Sequence, residues 1–561
     1  MKTKVLLFMA GVAAAGLLFS SCDTPLTNPN DGITVDPDDE KGPMPEWYYT
    51  GGKLGTTYFN STSNCFSQST PAVDRSGQGG MFTLGDQLAE RPLNTNQSGT
   101  RYGLGPVYVR ASCQHCHPNY SHGTSVPEGV YNAREIGNGT LLVVINPTTQ
   151  AYVPWLAGMP QLFGVAPFKA PLDPDMITVE WKTVQDEHGN KFEDGESYEL
   201  RYPVVRMPKE AVYAYNQGYR DPDGLLETEG YEVKLENTIG IYGSGLLDAI
   251  SDADIIAQYD KEAADGKLQN GLNPAFYAGG FLNSGYYKND PQWGPKRFTY
   301  ALTRGPLQDG AGANAIWNIT NQTRSDRRYH YLDLNGSIYA DVASKDADVQ
   351  QGFEKFIAQV DPKKEHAEWW TDNMEDNIKT YLTSKTLPAE MTDDEFTQFM
   401  VWHRGLAVPA ARDVTDEKVL KGKELFTQIG CDYCHRPSWT TGQDVIRDPN
   451  NFFKPNDGKL PRYPNQLIWP YTDMIQHKLC MVNDIRTGWC RTTPLWGRGL
   501  HKKATGDAHE ARMHDTRARN VIEAIMWHGY STESDAYWPT QQFYKLNKED
   551  RDAVVAFINA I

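Results

Sequence analysis

Cys113-Gln114-His115-Cys116-His117 and Cys431-Asp432-Tyr433-Cys434-His435 are two copies of one five-residue pattern, C-x-x-C-H, and the rest of the chain is read outward from them. Two thiols on one turn of chain can each add to a vinyl group of a haem, forming two thioethers. The histidine that follows then lies beneath the ring and ligates the iron. A lone copy would equally suit a zinc site or a redox cysteine pair. Two copies behind an export signal favour covalent c-type haem at both. The expected attachment residues are Cys113, Cys116, Cys431 and Cys434, with His117 and His435 as proximal ligands.

The export signal is at the start. Lys2 and Lys4 precede an apolar run from Val5 to Phe19, and Ser20-Ser21-Cys22 follows. A basic start, a short apolar core and small residues before a cut make a secretory signal, residues 1–22. The run is short for a membrane-spanning helix, and no later segment approaches ~20 apolar residues. Cys22 after two small residues resembles a bacterial lipoprotein site. It is then the lipidated first residue of a protein anchored in the cell envelope, periplasm-facing or at the surface. The alternative is an ordinary signal peptide with an incidental cysteine. Residues 23–45, rich in Asp, Pro, Thr and Asn, read as a flexible tether.

Composition excludes more than it selects. A formal charge of −17 over 561 residues opposes nucleic-acid binding, because it repels phosphates. It leaves room for a basic redox donor protein or small electron carrier as partner. Eight cysteines divide into Cys22 for lipid, four for haem, and Cys65, Cys480 and Cys490. Cys480 and Cys490 are close enough to close a short loop in an oxidising compartment. Cys65 has no assignable partner.

The fold class expected is mainly α with a β-rich insertion (α+β), carrying two cytochrome c-like haem domains. Residues 46–410 form the first, with a β-rich insertion at about 140–230. There Thr140–Ile145, Met176–Trp181 and Tyr198–Val205 are apolar or alternating runs. Helices are expected at Val349–Ile357 and Asp393–Trp402, the latter with Phe396, Phe399 and Met400 on one face. Residues 411–561 form the second, of class I cytochrome c type. Thr415 caps a helix over Asp416–Thr427, with Gly422 and Phe426 on one face. Asn547 caps a terminal helix in a capping box with Asp550, its apolar stripe being Val554, Phe557, Ile558 and Ile561.

Distal iron ligands are not fixed by spacing. His477, His501, His509, His514 and His528 compete for the second haem, with Met513 and Met526 as thioether alternatives. His330 and His403 compete for the first, which is otherwise open; His122, five residues past His117, is too close to reach the opposite face of the ring and reads as a loop residue. Peroxide cleavage needs a group that moves a proton between two oxygens, and Glu128 and Glu135 lie near the first motif. Trp402 or Trp439 would serve as an electron relay between haems. Arg491 would pair with a haem propionate as a bidentate donor.

Several stretches resemble the di-haem oxidoreductases, a family labelled thiol oxidoreductases and related to bacterial di-haem cytochrome c peroxidases. They are Arg491-Thr-Thr-Pro-Leu-Trp496, His514-Asp515, Ala524-Ile-Met-Trp-His528-Gly529, Gly103-Leu-Gly-Pro106, Gly243-Ser-Gly-Leu-Leu-Asp-Ala-Ile250 and Leu406-Ala-Val-Pro-Ala-Ala-Arg412. They cover most of 50–125 and 400–561, and the β-rich stretch departs from the peroxidase pattern. The resemblance implies two haems, one receiving electrons and one doing redox chemistry on peroxide. It places His528 at the sixth ligand position of the second haem, where the peroxidases use Met, which lowers the expected potential. No free cysteine pair supports dithiol exchange. The competing expectations are a carrier with both irons six-coordinate and a surface binding protein that uses the β-rich insert for recognition.

Overall fold

Two pairs of helices, each closing on a glycine, frame the two cysteine motifs. The computed structural model describes residues 44–59, 62–98, 102–126, 129–132, 139–149, 151–153, 156, 158–221, 224–277, 294–308, 316–333 and 338–561. Cys22, most of the tether, Glu128 and Glu135 lie outside them. The elements used below are, in chain order, α1 (Gly79–Glu90), β1 (Thr140–Ile145), β2 (Thr178–Val184), β3 (Leu200–Arg206), β4 (Glu232–Asn237), α2 (Asp252–Asp265), α3 (Ala347–Val360), α4 (Asp393–Gly405), α5 (Glu417–Gln428), β5 (Gln476–Lys478), β6 (Trp489–Arg491), α6 (Val521–His528) and α7 (Lys548–Ala560). Mixed helix and strand content is thus observed.

The second pair is α5 with α7. Asp416, not Thr415, caps α5: its carboxylate accepts from the Lys418 and Val419 amides, and a carboxylate there also meets the positive end of the helix dipole. Asn547 caps α7 by accepting from Asp550 N at 3.0 Å. Asp550 answers the Asn547 side-chain amide at 2.9 Å instead of its backbone N–H, so the box is only half formed. Val554, Phe557, Ile558 and Ile561 are all buried. Gly422 faces the Ala553 carbonyl so closely that a β-carbon would collide with it.

The first pair repeats the device. α4 starts at a complete capping box, Thr392 with Glu395, and buries Phe396, Phe399 and Met400. It packs across α1, where a β-carbon on Gly85 would meet the Gln398 carbonyl and Trp402. α4 is legible in the sequence, whereas α1, whose Gly79-Gly80 start carries no capping side chain, is not.

Between α1 and α4 the chain detours through strands. β1 pairs antiparallel with β4, Thr140 opposite Asn237, and all six β1 residues are buried, as its unbroken apolar run requires. β2 pairs antiparallel with β3, Val179 opposite Val205, and Val130–Asn132 flanks β2. These pairings extend the β region past both ends of 140–230. α3 buries Val349, Phe353, Phe356 and Ile357 against Phe168 and Tyr381 in a separate core. Residues 44–561 form one unit, and its largest core mixes Phe82, Phe399 and Trp402 with Trp439, Ile468 and Trp496. The seven described cysteines are unbridged, Cys480 and Cys490 among them.

Candidate functional site

The second motif follows α5 after a left-handed Gly430, which turns Cys431, Cys434 and His435 into a cavity of about 1260 Å³ counting its mouth. His435 and His528 face each other there, ring centroids 6.3 Å apart. Two metal–nitrogen bonds of about 2 Å plus half of each ring span roughly 6 Å, so the pair is spaced to hold one ion between them. Their tautomers are set as ligation needs. His435 Nδ1 donates to the Tyr471 carbonyl at 3.1 Å and His528 Nδ1 to the Ala524 carbonyl at 2.6 Å. In each case the Nε2 lone pair is left free. Burial holds both imidazoles neutral, His435 down to about 3 and His528 below its ordinary value.

Arg491 lines the same cavity. It is 4% exposed and all three guanidinium nitrogens lack a partner. Burial pushes it down to about 10. An unpaired buried cation of this kind is costly, and a propionate would satisfy it. Burial also keeps the thiols protonated: Cys431 is pushed up to about 12, and Cys434 is raised. That disfavours the thiolates a zinc site needs. Cavity, opposed imidazoles, neutral thiols and orphaned guanidinium together fit a c-type haem.

The other second-site candidates are placed differently. His477 lines the cavity but bonds Asp473 Oδ2 at 2.7 Å. His514 lies between Cys490 Sγ and Asp484 Oδ1, 3.5 Å from each. His501 stacks on His122 at 3.6 Å and bonds Ser121 and Asp507, so it leaves the ligand list. Met513 lines the cavity, whereas Met526 and His509 do not.

At the first motif, Cys113, Cys116 and His117 line a cavity of about 600 Å³ with Leu88 of α1, Phe399 and Gln322. His117 Nδ1 donates to the Ile239 carbonyl at 2.7 Å, the tautomer seen at His435, and burial pushes it down to about 4. Cys113 and Cys116 are pushed up to about 12 and about 11. Among the described residues lining this cavity, His117 is the one imidazole. His403 on α4 is 3% exposed with neither ring nitrogen bonded, and His117 opposes its protonation.

A cavity of about 750 Å³ counting its mouth abuts the first site. Thr323, Glu390 and Tyr102 line it with His330, while Gln322 and Met391, their neighbours in sequence, line the cavity at Cys113 and His117. Glu390 Oε2 accepts from Thr323 N at 2.8 Å and Thr323 Oγ1 at 3.0 Å. Burial pushes its carboxyl up to about 7. His330 bonds Tyr381 at 3.2 Å and lines this cavity instead of the one at His117. Glu390 has no sequence signal: it follows Pro388-Ala389, far along the chain from the first motif.

A smaller cavity borders the second site and reaches the residue that holds His117. A cavity of about 410 Å³ is lined by Ile239, whose carbonyl holds His117, and by Arg491 and Arg498, which also line the second site. Trp496 lines it too. Trp402 and Trp439 are tied to Asp86 and the Thr472 carbonyl instead, and neither lines it.

Residues 382–561 match the family model described as "Di-haem oxidoreductase, putative peroxidase", bearing out the resemblance read from the sequence. No curated protein matches. A diheme peroxidase from Burkholderia thailandensis, as a single-residue variant, aligns over 90% of this chain and 91% of its own at 11% identity and TM-score 0.20. Without the substitution the figures are 68%, 94%, 10% and 0.19. Superpositions this loose support no argument about either fold or function.

Proposed function

With residues 382–561 assigned to the di-haem oxidoreductases, we propose that the chain is an exported di-haem c-type oxidoreductase with peroxidase-like chemistry at the first site and electron entry at the second. The haems are thioether-linked through Cys113 and Cys116, and through Cys431 and Cys434. Each motif sits in a cytochrome c-like helix pair. The observation that carries the reading is the contrast between the sites. His435 and His528 are opposed at 6.3 Å, a closed pair suited to electron transfer. The first site has His117 on one wall and a carboxyl-bearing chamber next to it.

A haem there, held by Cys113, Cys116 and His117, would supply redox chemistry toward peroxide. The chain's residues do the rest. Glu390, held by Thr323, is protonated below about pH 7 and gives a proton to the departing oxygen. Trp496 shortens the path between sites. Trp538, 59% exposed, packs over Gly430 beside Cys431 and supports docking of a redox donor at the second site. Lipidation at Cys22 would tether the protein to the envelope. Among the described residues no helix is long and apolar enough to cross a membrane.

His403 favours a second reading. If its unpartnered imidazole closed the first iron, both haems would be six-coordinate and the protein would carry electrons only. Spin-state spectroscopy of oxidised and half-reduced holoprotein separates the two. A high-spin first haem in either state supports the peroxidase reading, and low spin at both haems in both states overturns it.

A further inference from the structure

The second site carries a buried acid cluster that neither haem attachment nor ligation uses. Glu262 on α2 has a fully buried side chain, as does Asp473 on the loop before β5. His477 on β5 joins them, Nε2 lying 2.7 Å from Asp473 Oδ2 and 3.8 Å from Glu262 Oε2. The Asp473 N–H donates to the Cys434 carbonyl at 3.0 Å, and Cys434, Asp473 and His477 offer side-chain atoms within 4.8 Å of one another. The cluster therefore abuts the cysteine that anchors the haem.

His477 and Asp473 neutralise each other at contact distance. Glu262 has no such counter-ion. Gln258 donates to its Oε1 at 2.7 Å, and Oε2 has no hydrogen bond at all. Burial and the Asp473 charge push Glu262 up to about 8, against the smaller opposing pull of His477, Gln258 and Lys261. The other ionisable groups facing it are Tyr259, Tyr433 and Arg436, while Cys434 beside it, as a thioether, carries no ionisable proton. A carboxyl poised near neutrality in a dry site responds to any charge added beside it, because Coulomb energies there are only weakly screened.

We propose that Glu262 is a redox-linked proton acceptor for the second haem, taking a proton from solvent when the iron held by His435 takes an electron, and releasing it on oxidation. One O–H bond forms on Glu262, bulk water supplies the proton, and the donor redox protein supplies the electron that converts ferric to ferrous iron. The net charge of the site is unchanged, which is why the low-dielectric pocket favours the coupled step. The inference rests on the di-haem reading.

The test is an optical redox titration of the two-haem holoprotein on either side of pH 8. One proton per electron makes the second haem's midpoint fall tenfold in equilibrium constant per pH unit, about 59 mV. Glu262→Gln, neutral at every pH, should hold the midpoint at the wild-type low-pH value. A flat wild-type profile overturns the proposal, as does an equal slope in Glu262→Gln. Should the variant fail to fold, redox-triggered infrared difference spectra of wild type decide: a protonated-carboxyl band gained on reduction supports the proposal, and its absence overturns it. Protein whose 431–435 peptide carries no haem mass fails the parent reading, and is recognised before any titration.

Discussion

Glu390→Gln tests the acid chamber beside the first site through stability as well as turnover. Burial raises the Glu390 carboxyl from its ordinary 4.5 to about 7. Below pH 4.5 the group is protonated whether the chain is folded or unfolded, and it contributes nothing to the pH dependence. Above pH 7 it is ionised in both states, and the folded state bears a desolvated charge. Wild-type stability should therefore fall as pH rises from 4.5 to 7 and stay lowered above. At about 1.4 kcal/mol per pH unit, with allowance for screening at a half-buried group, the loss is about 2–3 kcal/mol. Glutamine keeps the shape and an acceptor for Thr323 but has no ionised form. Urea unfolding of both proteins at pH 5 and pH 8 should show the gap between them move by that amount in favour of the variant. Peroxide turnover should drop by roughly 10²–10⁴. An unchanged gap between the two pH values would show that Glu390 is solvated, and full turnover would remove it from the reaction.

His528→Ala should convert one low-spin haem to high spin and leave the other alone, while His528→Met should restore six-coordination at a higher potential; unchanged absorption and EPR spectra would return the ligand role to Met513. Gly422→Ala and Gly85→Ala each drive a methyl into the partner helix. The overpacking cost of about 1–3 kcal/mol exceeds the gain of about 1 kcal/mol from helix propensity, so thermal melts should show both destabilised; stabilisation at Gly85 would contradict the α1–α4 crossing. Cys22→Ala should move the protein from the membrane to the soluble fraction, since an acyl chain contributes ~0.8 kcal/mol per buried methylene; a variant that remains membrane-bound with unaltered mass rules out lipidation.

The haem motifs, the terminal helices and the strand runs were legible in the sequence because each is a local pattern. Thiol spacing is set by one turn of chain. The stripe Val554, Phe557, Ile558 and Ile561 repeats at the helical period, and Thr140–Ile145 is apolar without a break. His528 was reached from family resemblance, since spacing cannot tell a ligand from a core histidine. What made it a candidate by geometry is its opposition to His435, which arises only when α6 folds over the 431–435 turn. Long-range packing decided the rest. The first helix pair closes across the whole β-rich detour, and α1 lacks a cap to announce it. Arg491 was named from the sequence as a propionate partner, but only the fold shows its guanidinium buried and without a partner. Glu390 and Glu262 are separated along the chain from the motifs they lie near in the fold. Their raised affinity for protons comes from desolvation, which no residue carries in its identity and only the folded surroundings create.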